Sequence, residues 1–383
     1  MKLTLCLTNA HSPRCNVNVA RRDRHRTIAH VSRLHICLAL FLLIGLGGCG
    51  NLATGLPVSS GGSPILPTDP AYNKEIQINY LGAGGVLFKR GDDVILTAPF
   101  FSNPSIPRVA FGHIEARPEQ IDHFLKPVSA YLAPVDAVLV GHAHYDHLMD
   151  IPYIKKNYLP SARIYGSDAA KNTLLAELDA KDLTSVQDKP IGESTKAGHW
   201  WYVSKNRIRF MALKSEHAPV FLHLKFFEGN YEQPLKEIPR RATGWVEGQT
   251  LGYLIDFLNA DGKVDFRIHY QDAASTHPLG FPPPLDQLPD PRPVDLAIIC
   301  MPGFDQVPDF PEEIVKRLQP HYVVVIHWEN FFRLLPDDRK DLRTLPTVNA
   351  EGFIARLDAA LKSTNPASSY TLPARGAWLR FVP

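Results

Sequence analysis

The densest chemistry in the chain is Gly141-His-Ala-His-Tyr-Asp-His147, which sets His142, His144, Asp146 and His147 within six residues. In a chain with 16 His, chance would place His-x-His-x-Asp-His in fewer than about 3 chains per 1000. Imidazole nitrogens and carboxylate oxygens suit Zn²⁺ or a neighbouring first-row cation at about 2.0–2.2 Å. The apolar run Asp136-Ala-Val-Leu-Val140 comes just before, so the spacing predicts a loop at the end of a buried strand. A bent loop can aim alternate residues at one ion and the next pair at another, which makes two ions in one cleft the expected chemistry. The loop cannot fill two coordination spheres by itself. Further candidates each close an apolar run: His217 after Phe210-Met-Ala-Leu, Asp272 after Phe266-Arg-Ile-His-Tyr-Gln, and His327 after Tyr322-Val-Val-Val-Ile.

These side chains need strands to hold them. Ile76–Tyr80, Val86–Phe88 and Val94–Thr97 read as a β-meander with Arg90-Gly-Asp-Asp93 as a turn. Further strands are expected at Asp136–Val140, Ile208–Leu213, Leu251–Phe257, Phe266–Tyr270, Leu296–Cys300 and Tyr322–Ile326. Helical patterns occupy Ser167–Leu178 and Asn349–Leu361, the latter with Phe353, Leu357 and Leu361 on one side. The class is mixed α/β with most strands fully or half buried. No repeat of 20–50 residues is visible, which argues against solenoids and propellers.

The order His-x-His-x-Asp-His, His, Asp, His, each after an apolar run, resembles the metallo-β-lactamase fold superfamily of metal-dependent hydrolases, over residues 75–383. The opening Tyr80-Leu-Gly-Ala-Gly-Gly85 with Ile95-Leu-Thr-Ala-Pro-Phe-Phe-Ser102 is most similar to the branch containing N-acyl phosphatidylethanolamine phospholipase D and the ascorbate-phosphate lactonases. The resemblance implies a four-layer αβ/βα sandwich of two mixed β-sheets with outer helices. It implies two divalent metal ions, Zn²⁺ first and Mn²⁺ or Fe²⁺ as alternatives. His142, His144 and His217 would hold one ion, and Asp146, His147 and His327 the other. Asp272, in Tyr-Gln-Asp-Ala-Ala-Ser275 where the family often has Gly-Asp-Thr, would bridge them. A metal-bridging hydroxide would attack a phosphodiester, lactone or other ester of a small-molecule or phospholipid-like substrate, with Asp146 as the catalytic residue that orients it and passes on a proton. One departure stands out: Ala98 occupies a segment where the family usually has an Asp supporting the ligand shell. Ala98 is the one feature favouring the alternative of a non-catalytic lipoprotein of this fold with a binding or envelope role.

The N-terminus reads as an address. Arg33 precedes the apolar run Cys37–Leu46, which has signal-peptide length and is too short to span a bilayer. Leu46-Gly47-Gly48-Cys49 resembles a bacterial lipobox, which makes Cys49 the lipidation site. The expected organisation is a signal peptide with an over-long N-terminus at 1–48, lipidated Cys49 and a flexible Gly/Ser/Pro tether at 49–74, and the hydrolase domain at 75–383. Val31 is a candidate alternative start. That organisation implies a lipid-anchored protein of the bacterial envelope, on the outer membrane facing the periplasm in a Gram-negative cell, since Gly50 is not an Asp.

Composition narrows the rest. Lys and Arg number 41 against 39 Asp and Glu, and seven of those bases lie in residues 1–48 against one acid, so nucleic acid is not an expected partner. Cys300 sits in an apolar run and reads as a buried strand thiol. His223, His269 and His277 neighbour the ligands in sequence, and His269 reads as a core imidazole. Trp328, Phe331 and Phe332 read as core before pocket wall. Glu228–Arg241, with Lys236, Arg240 and Arg241, reads as a solvated loop before a basic lid. The oligomeric state is left open.

Overall fold

The structure, a computed structural model, describes residues 50–219, 225–334, 341–346 and 348–383. Its strands are β1 (Val58–Ser59), β2 (Ile76–Gly82), β3 (Gly85–Arg90), β4 (Asp93–Thr97), β5 (Ala137–Leu139), β6 (Arg163–Gly166), β7 (Leu183–Ser185), β8 (Trp200–Val203), β9 (Ile208–Lys214), β10 (Leu251–Leu258), β11 (Val264–Gln271), β12 (Leu296–Cys300), β13 (Tyr322–Ile326), β14 (Ser369–Pro373) and β15 (Trp378–Phe381). The α-helices are α1 (Ile106–Phe111), α2 (Pro118–Leu125), α3 (Ser129–Leu132), α4 (Tyr145–Leu148), α5 (Ile151–Asn157), α6 (Asp168–Leu174), α7 (Glu312–Leu318) and α8 (Ala350–Thr364).

One sheet runs β15-β2-β3-β4-β5-β6-β7 and the other β1-β14-β13-β12-β11-β10-β9-β8. Each is mixed: β4 to β7 pair in parallel, as do β11 to β14, while the meander β2-β3-β4 and the β8-β9-β10-β11 run pair antiparallel. Strand alternation explains the layering. Val86, Phe88, Ile95, Ala137 and Leu139 face the core shared with the other sheet, and Leu87, Leu96 and Val138 face a second core built with α2, α4, α5 and α6. Phe353 and Leu357 of α8, with Ile314 and Val315 of α7, cover the other sheet. The result is the expected four-layer sandwich of two mixed sheets with outer helices.

One buried ionic cluster inside the sandwich is fully paired. Asp256 of β10 receives Arg267 through Nε at 2.6 Å and Nη2 at 2.9 Å, and Arg209 through Nε at 2.9 Å. All three are buried, so removing the acid would leave the Arg267 guanidinium without a carboxylate and Arg209 with Asp290 alone.

Two expectations need correction. Folding does not begin near Glu75, and 50–74 is not a free spacer. β1 pairs with β14 through Val58 and Leu372, Gly62 bridges Trp378, and Ile65 is buried with its N–H donating to Gln77 Oε1 at 2.6 Å. Edge pairing is made by backbone groups and needs no apolar period, so a Pro- and Gly-rich segment can carry it unannounced. His217 also does not end a strand: β9 stops at Lys214, and Ser215-Glu-His217 is loop. The expected signal segment 1–48 and Cys49 lie outside the described residues. Among the described residues no helix is long and apolar enough to cross a membrane.

Candidate metal centre

Parallel pairing gathers the site. β11 and β13 flank β12, so Asp272 and His327, each the first residue after its strand, emerge on the same edge of one sheet. From the other sheet, the chain leaves β5 in extended form through His142 and His144, then turns into α4, which carries Asp146 and His147. The His144 carbonyl accepts the N–H groups of His147 and Leu148, both at 3.0 Å, and this tight turn separates the first His pair from the Asp-His pair.

The seven expected ligand residues converge. His142, His144 and His217 form one group, Asp146, His147 and His327 a second, and His142, His147 and Asp272 a third that overlaps both; within each group the ligand atoms lie within 4.8 Å of one another. Asp272 places Oδ1 3.3 Å from His142 Nδ1 and Oδ2 3.2 Å from His147 Nδ1. Asp146 Oδ2 lies 3.3 Å from His327 Nε2 and 3.6 Å from His147 Nε2.

The donor set fits cations on the structure's own terms. His142 Nε2, His144 Nε2 and His327 Nδ1 are buried without a hydrogen-bond partner in the structure, a costly state that a metal ion would relieve. Gly141 leaves room for the Asp272 carboxylate, since a Cβ there would fall 2.2 Å from both of its oxygens.

Burial sets the protonation states. It pushes His142 down to about 3 and His144 well below the ordinary imidazole value, so both are neutral and present lone pairs. Burial acts the same way on His147, but the charges of Asp272 and Asp146 outweigh it and raise that imidazole. A cation must therefore displace a proton there. Burial would raise the two acids, yet the imidazoles around them hold Asp146 and Asp272 below the usual carboxylate range.

A supporting shell that the sequence reading missed surrounds these ligands. His327 has φ 60, an uncommon backbone state for a residue with a Cβ. Its N–H donates to the Tyr80 hydroxyl at 3.0 Å, and that hydroxyl donates to Glu329, which also accepts the Ala83 N–H at 2.9 Å and faces buried Arg375 at 3.8 Å. Tyr270 Oη stands 3.1 Å from Asp272 and 2.6 Å from the Gly84 carbonyl. Glu247 accepts from the His217 N–H at 3.3 Å and from Thr250 Oγ1 at 2.7 Å. Ala98 is buried among apolar side chains. None of these supports repeats a spacing that marks it in sequence, apart from Tyr80 lying in the opening motif.

A cavity of about 130 Å³ opens over the centre. Phe226, Phe227, Phe331, Phe332, Ile106 and Val109 wall it, and His144, Asp146, His217 and His327 also line it. Phe331 is buried in the core and Phe332 packs against it, as expected, and both also line the cavity, while Trp328 is core alone. His269 is a core imidazole bonded through Nε2 to the Gly280 carbonyl at 2.8 Å, and exposed His277 meets Phe281 edge-to-face. His223 lies outside the described residues. Cys300 is buried, its thiol pushed up by burial, and it joins none of the ligand groups. The Glu228–Arg241 loop packs along α6, where the Leu235 N–H bonds the Asn172 carbonyl at 2.9 Å, and Lys236 and Arg240 line a separate cavity with Tyr153 and Lys156.

Two mixed sheets with helices on their outer faces, and a His/Asp cluster at the adjoining strand ends, define the metallo-β-lactamase fold. Residues 95–265 match the family model of the beta-lactamase superfamily domain, which supports the superfamily of metal-dependent hydrolases for this chain. The chain is similar to a UPF0173 metal-dependent hydrolase of Cupriavidus taiwanensis, 25% identical over 292 residues that span 74% of this chain and 84% of that protein. Among solved structures it is similar to Igni18, a metallo hydrolase of Ignicoccus hospitalis, at a TM-score of 0.45 and 14% identity over 80% of this chain and 98% of that one. It is also similar to the metallo-β-lactamase fold protein YhfI of Bacillus subtilis, at 0.42 and 14% over 80% and 100%.

Proposed function

We propose that this chain is a metal-dependent hydrolase that binds two divalent cations, Zn²⁺ first, and cleaves a phosphodiester, lactone or other ester from a lipid-anchored position in the bacterial envelope. The observation that carries the reading is the overlap of three His/Asp groups beneath one apolar cavity. His142, His144 and His217 would hold one cation, Asp146, His147 and His327 the other, and Asp272 faces both sets. Bound cations supply Lewis acidity and lower the pKa of water, which makes a Ser or Cys nucleophile unnecessary. Asp146 lines the cavity with an ionised carboxylate, so it can orient the attacking water and hand a proton to the leaving group. The phenylalanine walls would seat an apolar part of the substrate beside the reacting bond and exclude bulk water. A place in the branch with N-acyl phosphatidylethanolamine phospholipase D rests on the opening motif.

The test is metal content by mass spectrometry together with hydrolysis of a panel of soluble esters, lactones and phosphodiesters. About two transition-metal equivalents in the wild type, fewer in His144→Ala, and no turnover by Asp146→Ala are the expected results. A protein that binds no metal after zinc is added back would overturn the reading in favour of a non-catalytic lipoprotein.

A further inference from the structure

We propose that Arg375 is a positioning residue for the metal centre: its guanidinium holds Glu329, and through Glu329 and the Tyr80 hydroxyl it keeps the backbone of His327 in place for the cation shared with Asp146 and His147. This inference rests on the two-cation reading above and adds to it a residue from a distant corner of the fold.

Arg375 lies in the corner that carries the chain from β14 in one sheet to β15 in the other. The corner is clipped to β2 at Tyr80, whose carbonyl accepts the Gly376 N–H at 2.7 Å and whose N–H donates to the Ala377 carbonyl at 3.1 Å. From there the Arg375 side chain turns inward, with only 7% of its surface exposed. Its guanidinium lies over the rings of Phe124 and Phe101, 5.0 and 5.3 Å from their centroids. Gly82 makes the space, since at its φ of 98 a Cβ would fall 2.2 Å from Arg375 Nη2. The seat is closely fitted, yet Nε, Nη1 and Nη2 are all buried without a hydrogen-bond partner in the structure. A guanidinium placed that way costs stability, so its contribution lies in the charge it brings and not in bonds it makes.

That charge faces Glu329. Arg375 Nη2 stands 3.8 Å from Glu329 Oε1, and among the described ion pairs no other cation reaches this carboxylate. Burial opposes the charge on Arg375, whereas the carboxyl groups of Glu329 and Asp150 favour it. Glu329 is itself buried, and its other partners, the Tyr80 hydroxyl and the Ala83 N–H, are neutral. A buried carboxylate that loses its counter-charge turns toward water or draws water in, and either movement takes the acceptor away from the Tyr80 hydroxyl. His327 depends on that hydroxyl. Its φ of 60 is a sparsely populated backbone state, which persists only where neighbours hold it, and its N–H donates to Tyr80. Arg375 is not among the described residues lining the cavity, so this chain of contacts reaches the ligand from behind and bears on the cation before the substrate.

Amide exchange on the metal-free protein reads the hold without any cation. Arg375→Met should speed exchange at the His327 amide roughly tenfold and leave Val323–Val325 of β13 as slow as in the wild type. Arg375→Lys keeps the charge and should restore most of the protection. Titration of the metal-free protein with Co²⁺ under chelator competition, followed by visible absorption, reads the consequence. Arg375→Met should weaken one binding step by about 10–100-fold and leave the other at wild-type strength. In a Glu329→Gln background the same substitution should change neither reading. Unchanged exchange at His327, equal loosening along β13, no rescue by lysine, binding steps weakened alike or not at all, or a full effect in the Glu329→Gln background would each overturn the proposal. Arg375→Gln stands in if Arg375→Met does not fold, and failure of both to fold would reduce Arg375 to a residue of the scaffold. A wild-type protein that takes up no Co²⁺ defeats the two-cation reading itself, while the exchange comparison still decides whether Arg375 holds His327.

Discussion

The His327 N–H donates to the Tyr80 hydroxyl at 3.0 Å, so a side chain from β2 of one sheet fixes the backbone of a candidate ligand residue at the end of β13 in the other. Tyr80 is buried, and its hydroxyl is held by Glu329. Tyr80→Phe should therefore leave the His327 N–H without a partner and loosen Glu329. We expect a stability loss of about 1–3 kcal/mol and a 10–100-fold weaker affinity for the cation at Asp146, His147 and His327. Chelator competition and urea denaturation read the two effects separately, and unchanged metal affinity would reduce Tyr80 to a packing residue.

Gly141→Ala should cost metal rather than fold. The new methyl would fall 2.2 Å from the Asp272 carboxylate, so that acid must move. Gly62→Ala, with nothing within 4 Å of the added carbon, is the matched control. Metal content should drop in the first variant and stay at the wild-type level in the second; equal content in both would show that Asp272 is dispensable for loading.

Asp150 makes stability depend on pH. Burial pushes its carboxyl up from 3.8 to about 6, although Ser102 Oγ and the N–H groups of Phe101 and Ser102 donate to it. The folded state thus holds the proton more tightly than the unfolded chain. The associated stability is fully present below pH 4 and fades as pH rises through 6, by on the order of 3 kcal/mol. Asp150→Asn should flatten this part of the profile in denaturant titrations between pH 4 and 6.5. An identical slope in variant and wild type would contradict the assignment.

Residues 50–66 should prove part of the domain. A chain beginning at Pro67 would bare the β14 edge and empty the seat of Ile65, whose burial alone is worth about 1.5–3 kcal/mol. A lower urea midpoint and concentration-dependent association through the open edge are expected. A midpoint equal to that of the longer chain would restore these residues to the status of a spacer.

Much of the scaffold could be read from pattern alone. Leu296–Cys300 and Tyr322–Ile326 are strands with the expected ends, and the Asn349–Leu361 helix is present with Asn349 capping it through the Gly352 N–H at 2.9 Å. Short elements at and beside the sheet edges were not legible. β1, β7, β14 and β15 are two to five residues long, and their pairing partners rather than their own composition make them strands.

Residue type and spacing by themselves singled out the candidate ligands, because an imidazole or carboxylate at a strand end brings its donor atoms wherever the strand goes. Which of them meet was decided by the tertiary structure. His142 and Asp272 are 130 residues apart and 3.3 Å apart only because two sheets pack face to face with their strand ends on one edge. The same packing recruited Tyr80, Glu247 and Glu329, whose roles depend on hydrogen bonds between distant segments. It also laid residues 50–53 beside residues 342–344. Spacing along the chain reports what a segment is made of, whereas a hydrogen bond or a shared wall requires two segments to arrive at one place, and only the folded chain brings them there.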